Sequence, residues 1–267
     1  QGRRQRQMCI RDRNNGLHAK NLLHHSCPAT GYGGFSLQGE GRFEVARRLK
    51  IEWAPGEKVT GRLSMPAGGR SDDVGVVVAH GAGVGQDHPF MTQVREGLAA
   101  AGYPTLTFNY AYTEAGRRAP DRPPKLLAVH EAAADRLAQY CSRVILAGKS
   151  MGGRVASHLA GDTGWPAAAL AYLGYPLVPM GGGEPRPTDH LQRIVVPQLF
   201  VAGTRDRLSP PPLIEPLAAS LPDADVIVVP DGDHSFTVPK RTGRTNEEVL
   251  GDVIAEVADW LLQFRRG

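Results

Sequence analysis

The sequence predicts an α/β domain built on a mostly parallel central sheet with helices on both faces. Three observations lead there. Short apolar runs at 74–79, 105–108, 144–147, 167–173, 198–202 and 225–229 read as strands. Several are nearly continuous rather than alternating, as expected of strands covered on both faces. Helical patterns fall between them, and parallel neighbours require such crossovers. The residues able to do chemistry gather just after the strands, at the carboxyl edge where open α/β sheets bind ligands.

The elements follow in order. Residues 43–53 alternate partially and read as a strand, paired through Pro55-Gly56-Glu57 with 59–65. A polar loop, 66–73, leads to strand 74–79, which ends in His80-Gly81-Ala82-Gly83. Met91, Val94, Leu98 and Ala101 mark a helix over 90–101, stopped by Gly102. Strand 105–108 follows, then Asn109-Tyr110, an arginine- and proline-rich loop at 114–124, and a helix over 126–141. After strand 144–147 a helical pattern runs from about Arg154 to Ala160. Strand 167–173 leads to Gly174-Tyr175-Pro176, and 177–196 is a loop with a short helix near His190. Strand 198–202, helix 213–221, strand 225–229 and an amphipathic helix over 247–264 complete the chain, the last striped by Val249, Val253, Val257 and Leu261.

At 267 residues, 41% hydrophobic and 22% charged, the chain can bury a full core. No apolar run approaches the ~20 residues of a membrane span. The basic pI is local in origin. Residues 1–13 hold five arginines against Asp12 and so carry the whole formal charge of +4, leaving 14–267 neutral. No electrostatic case for nucleic acid remains in the globular part. Cys9, Cys27 and Cys141 are odd in number and lack metal-type spacing, which argues against disulfides or zinc and fits a reducing cytoplasm.

Residues 1–42 are expected to be a disordered segment, with no apolar stretch to make a signal peptide, and 43–267 a single domain. Gln7-Met8-Cys9-Ile10-Arg11-Asp12 resembles the translation of a transposon adapter used in DNA sequencing. Two origins therefore fit residues 1–13: an assembly artefact or a genuine basic tail. His24-His25 near Cys27 reads as incidental rather than as a metal site.

The chemistry centres on Gly148-Lys149-Ser150-Met151-Gly152, a G-x-S-x-G between strand and helix. That context is a nucleophile elbow, in which a tight turn thrusts the serine hydroxyl clear of the sheet. A serine needs a base, and histidine is suited because it titrates near neutrality. A carboxylate must then fix the imidazole tautomer. Ser150, Asp206 and His234 supply the chain order serine, acid, histidine, each after a strand. Asp231 and Asp233 lie closer to His234 in sequence, but adjacency in a loop does not aim a carboxylate at Nδ1. The oxyanion donors are expected to be the backbone N–H groups of Met151 and Ala82. His80, Tyr110 and Tyr175 are candidate substrate-lining residues, with core packing as the alternative. The Gly81–Gly85 run lacks the Walker and GxGxxG patterns, so a nucleotide site is disfavoured.

Taken together, His80-Gly81-Ala82-Gly83, Gly148-Lys149-Ser150-Met151-Gly152-Gly153-Arg154, Gly174-Tyr175-Pro176-Leu177, Gly203-Thr204-Arg205-Asp206 and Asp233-His234-Ser235-Phe236 carry a family resemblance over residues 58–265. The chain resembles the α/β-hydrolases related to testis-expressed protein 30 and to a subunit of a chromatin acetyltransferase complex, with dienelactone-hydrolase-like enzymes as wider neighbours. The resemblance implies the α/β-hydrolase fold and a serine triad, but no substrate. About twenty residues separate Tyr175 from Gln198, too few for a large cap, so the site is expected to be open. The expected function is a cytoplasmic serine hydrolase cleaving a small ester or thioester through an acyl-enzyme. It would need no metal or organic cofactor and no nucleic-acid or membrane partner. A peptidase or amidase with the same triad, and a non-catalytic scaffold on a hydrolase fold, are the alternatives.

Overall fold

The computed structural model describes residues 20–21, 46–67 and 74–265. Most of the N-terminal segment therefore lies outside the described residues, including the arginine-rich stretch 1–13 and His24-His25. Within it, Lys20–Asn21 forms a two-residue strand, β1.

The other strands are β2 (Arg47–Ala54), β3 (Glu57–Ser64), β4 (Val74–Ala79), β5 (Thr105–Phe108), β6 (Arg143–Lys149), β7 (Ala169–Leu173), β8 (Gln198–Gly203) and β9 (Ala224–Val229). They form one sheet in the order β1-β9-β8-β7-β6-β4-β5-β3-β2. β2 and β3 make the antiparallel hairpin, and β3 runs antiparallel to β5. From β5 to β9 every pairing is parallel. All six residues of β4 are buried, which explains why its sequence does not alternate.

Each face of the sheet has its own core. Val74, Val76 and Val78 point to the side covered by α1 (Pro89–Ala100) and α7 (Asn246–Leu261), where Met91, Leu98, Val253 and Leu261 pack. Val77 and Ala79 point the other way, with α3 (Pro123–Leu137), α4 (Met151–Thr163) and α6 (Pro211–Ser220). The remaining helices are short: α2 (Ala111–Glu114) and α5 (Asp189–Gln192). α7 opens with a capping box, in which the Thr245 side chain accepts from Glu248 N–H and the Glu248 carboxylate accepts from Thr245 N–H.

Two elements differ from the sequence expectation. The proline- and arginine-rich stretch is not all loop: it overlaps the end of α2, whose Glu114 accepts a hydrogen bond from Thr60 Oγ1 at 2.7 Å, and the start of α3. Pro123 and Pro124 lie in the first turn of α3, where a missing N–H costs nothing. α4 starts at Met151 rather than near Arg154, because Ser150 takes the N-cap position and Gly152 and Gly153 are drawn into the first turn. No helix among the described residues is long and apolar enough to cross a membrane.

Candidate active site

The site forms where β4, β6, β8 and β9 end. At the tip of β6, Ser150 has φ 52° and ψ −115°, a conformation that costs a non-glycine residue on the order of 1–3 kcal/mol. The surrounding glycines make room for it. A Cβ on Gly148 would lie 2.3 Å from the Gly152 carbonyl carbon, and one on Gly152 would lie 2.4 Å from the Ala79 carbonyl oxygen. No side chain fits either approach. Two backbone bonds fix the turn: Ser150 N–H donates to Leu173 O at 3.1 Å, and Arg154 N–H donates to Ser150 O at 3.1 Å.

The loops after β8 and β9 are tied together. Thr204 N–H donates to Val229 O, Arg205 N–H to Gly232 O, and Asp231 N–H to Thr204 Oγ1. That pairing brings Asp206 to His234, with Oδ2 2.8 Å from Nδ1. Nε2 of the same ring lies 2.9 Å from Ser150 Oγ. Because a carboxylate only accepts, the proton sits on Nδ1, and Nε2 is free to receive the serine proton. The other Asp206 oxygen accepts from the N–H groups of Leu208 at 2.8 Å and Ser209 at 3.1 Å. Burial pushes the Asp206 carboxyl upward, but the His234 hydrogen bond and charge, with those two N–H groups, outweigh it and hold the group ionised below the usual carboxylate range.

The two nearby aspartates turn elsewhere. Asp233 Oδ1 accepts from the N–H groups of Ser235 at 2.8 Å and Thr237 at 2.9 Å, so it braces its own loop. Asp231, at φ 56°, pairs with Arg241.

The loop after β4 borders the serine: a Cβ on Gly81 would be 3.5 Å from Ser150 Cβ. His80 controls its orientation. Tyr110 N–H donates to His80 Nε2 at 3.2 Å, which leaves Nδ1 as the protonated nitrogen, donating to Gly81 O at 2.8 Å. Burial lowers His80 to about 4 despite that bond, so the ring is neutral. The described peptides are all trans. With the Gly81 carbonyl drawn toward the buried ring, the Ala82 N–H of the same peptide plane points the opposite way. Ala82 is exposed, and Ser150 and Met151 are half-buried.

His80, Tyr110 and Tyr175 do not line a substrate pocket. Each is fully buried. Tyr110 packs edge-on to His80 with centroids 5.0 Å apart, and its hydroxyl meets His130 Nδ1 at 3.0 Å. The Tyr175 hydroxyl lies 3.3 Å from Ser157 Oγ and from His190 Nε2. All three follow strands, as lining residues would, but their rings turn under the sheet edge into the aromatic core. Sequence position also gave no sign that Lys149 turns back under the triad: its ammonium donates to the backbone carbonyl of His234.

Residues 72–262 match the family described as Alpha/beta hydrolase domain. The chain belongs to this alpha/beta hydrolase family. None of the curated proteins searched matches it. Among solved structures, the hydrolase fold is shared with a lidless α/β serine hydrolase from Xanthomonas campestris, with a TM-score of 0.65, 15% identity, and coverage of 84% of this chain and 96% of that one. Dienelactone hydrolase from Anabaena variabilis superposes with a TM-score of 0.62 and 21% identity over 84% of this chain and 100% of the other. Est1E from Butyrivibrio proteoclasticus gives 0.62 and 17%, covering 82% and 98%.

Proposed function

We propose that this alpha/beta hydrolase is a serine hydrolase that cleaves a small ester or thioester through an acyl-enzyme. The observation that carries the reading is the unbroken relay from Asp206 Oδ2 through His234 to Ser150 Oγ, with contacts of 2.8 and 2.9 Å. Ser150 Oγ attacks the carbonyl carbon as its proton passes to His234 Nε2. The carbonyl π pair moves onto oxygen, where the N–H groups of Met151 and Ala82 stabilise the charge. Collapse of this intermediate breaks the bond to the alkoxide or thiolate, which leaves with the proton from His234. Water, deprotonated by the same imidazole, then attacks the acyl-enzyme and releases the acid and free Ser150. Asp206 holds the Nδ1–H tautomer and stabilises the imidazolium throughout.

A small or flexible acyl group suits the short segment between Tyr175 and Gln198 and the exposure of Ala82. The finer kinship with the testis-expressed protein 30 group belongs to the same proposal and rests on Lys149 and Gly153-Arg154 in the elbow. A cytoplasmic location and catalysis without a cofactor, nucleic acid or membrane are part of the same proposal, supported by the three cysteines without metal-type spacing and the neutral charge of 14–267. A fluorophosphonate probe is expected to label the folded chain at Ser150, with labelling lost in Ser150→Ala. Folded protein that takes no label would leave the scaffold reading. Turnover of p-nitrophenyl acetate and a thioacetate is expected to exceed that of the matching anilide. The reverse order would indicate an amidase.

A further inference from the structure

We propose that Lys149 is a positioning residue for the triad: its buried ammonium grips the backbone carbonyl of His234 and holds the imidazole in line between Asp206 and Ser150. This inference rests on the hydrolase reading above. Lys149 occupies the variable position of the elbow just before the nucleophile, at the end of β6, and is only 7% exposed. The side chain passes Gly81, whose Cβ would lie 3.7 Å from Lys149 Cγ. Its ammonium then donates to His234 O, across 85 residues of sequence. One side chain thus links the strand that carries the nucleophile to the loop that carries the base.

Gly174 shows how closely the groups converge. A Cβ there would meet Lys149 Nζ at 3.2 Å, Asp206 Oδ2 at 3.3 Å and His234 Cε1 at 3.3 Å. Ammonium, carboxylate and imidazole crowd a single point behind the catalytic line, and only a residue without a side chain tolerates it. The backbone at Gly174 has φ 73°, so glycine is required on conformational grounds as well. From α1, the Phe90 ring faces the ammonium at 5.9 Å, and from the loop after β9, Phe236 faces it at 6.0 Å. The charged and titratable groups around it are Asp206 from the loop after β8 and Asp233 and His234 from the loop after β9.

This enclosure makes the grip sensitive to pH. Burial pushes Lys149 down to about 8 against the pull of Asp206 and Asp233. Below that pH the ammonium is a charged donor to His234 O. Above it the amine is a weaker donor and the loop is held less firmly.

The test follows the rate of fluorophosphonate inactivation and the His234 Cε1–H resonance across pH, in the full chain and in Lys149→Met. In the parent chain, inactivation is expected to slow above pH 8, and the resonance to show an inflection there besides that of the ring itself. In K149M both features vanish, and the rate at pH 7 falls on the order of 10²-fold, the scale of a reacting group displaced by about 1 Å. A K149M profile that keeps the parent's alkaline limb would overturn the proposal. Should K149M not fold, the parent resonance alone decides: a single inflection, with none near 8, rejects the coupling. Failure of the hydrolase reading looks different, as a parent chain that takes no label while the resonance still reports Lys149.

Discussion

Two histidines at two strand ends, His80 after β4 and His234 after β9, have opposite fates. His80 is fully buried, and a backbone group meets each of its nitrogens: Nε2 accepts from Tyr110 N–H, with the Thr113 hydroxyl farther off at 3.4 Å, and Nδ1 donates to Gly81 O. His234 keeps a quarter of its side chain exposed, and side chains flank both its nitrogens: Asp206 on one side, Ser150 on the other. A backbone partner cannot take up or release a proton at neutral pH, so His80 is locked in one tautomer and serves as a scaffold. A carboxylate and a hydroxyl can answer a change of charge, so His234 can carry a proton back and forth. The same side chain at the same kind of loop is assigned to structure or to chemistry by what faces its two nitrogens.

The largest effect should come from His234. His234→Ala is expected to lower kcat for ester cleavage about 10⁶-fold, as losing a base that acts as a unit with its nucleophile does. A drop of only tenfold in steady-state turnover would erase the contrast between the two rings. His80→Leu should act more weakly and by another route. It frees the Gly81 carbonyl and lets the Ala82 N–H drift, so kcat falls about 10²–10³-fold, the scale of one lost oxyanion donor. Labelling of Ser150 should slow but persist. If the full effect of His80→Leu appeared as loss of folded protein in circular dichroism, with turnover per folded molecule unchanged, the ring would be core filler only.

Much of this contrast could be read from the chain. The fold was legible because the strands β4 to β9 are short apolar runs separated by helical periods, a pattern that leaves few alternatives. The Ser150, Asp206 and His234 constellation was legible because G-x-S-x-G needs a strand before it and a helix after it, and because the loops after β8 and β9 offered Asp206 and His234 in the order serine, acid, histidine, with Asp231 and Asp233 as the rivals nearer in sequence. The inward turn of His80, Tyr110 and Tyr175 was not legible. A residue just past a strand can face the solvent rim or fold under it, and periodicity ends where the strand does. Lys149 was hidden for a similar reason. Its reach to His234 O depends on the space left by Gly174, which is 25 residues away in sequence and meets it only in the folded sheet. Helix starts also slipped, since the glycines that permit the elbow mask the first turn of α4.

The buried histidines also predict how the fold responds to acid. Burial lowers His80 to about 4, and burial together with the charge of His80 lowers His130 to about 3. Both are neutral in the folded chain, whereas an unfolded histidine takes its proton at about 6.5. The unfolded state therefore binds more protons below pH 6.5, and stability falls as pH drops from there through about 4. At roughly 1.4 kcal/mol for each pH unit between the two values, His80 accounts for about 3 kcal/mol and His130 for about 5 kcal/mol. The paired carboxylates, Asp206 and Glu114 among them, are held below their ordinary values of 3.8 and 4.5 and lose their contribution only under those values. The decline in melting temperature between pH 6.5 and 4.5 thus belongs mainly to buried imidazoles. His130→Phe, which cannot titrate, should be less stable at pH 7 through the stranded Tyr110 hydroxyl, yet lose less on acidification than the parent. Parallel melting curves for the two chains across that window would place His130 among the solvated histidines and remove the difference in environment from which the comparison starts.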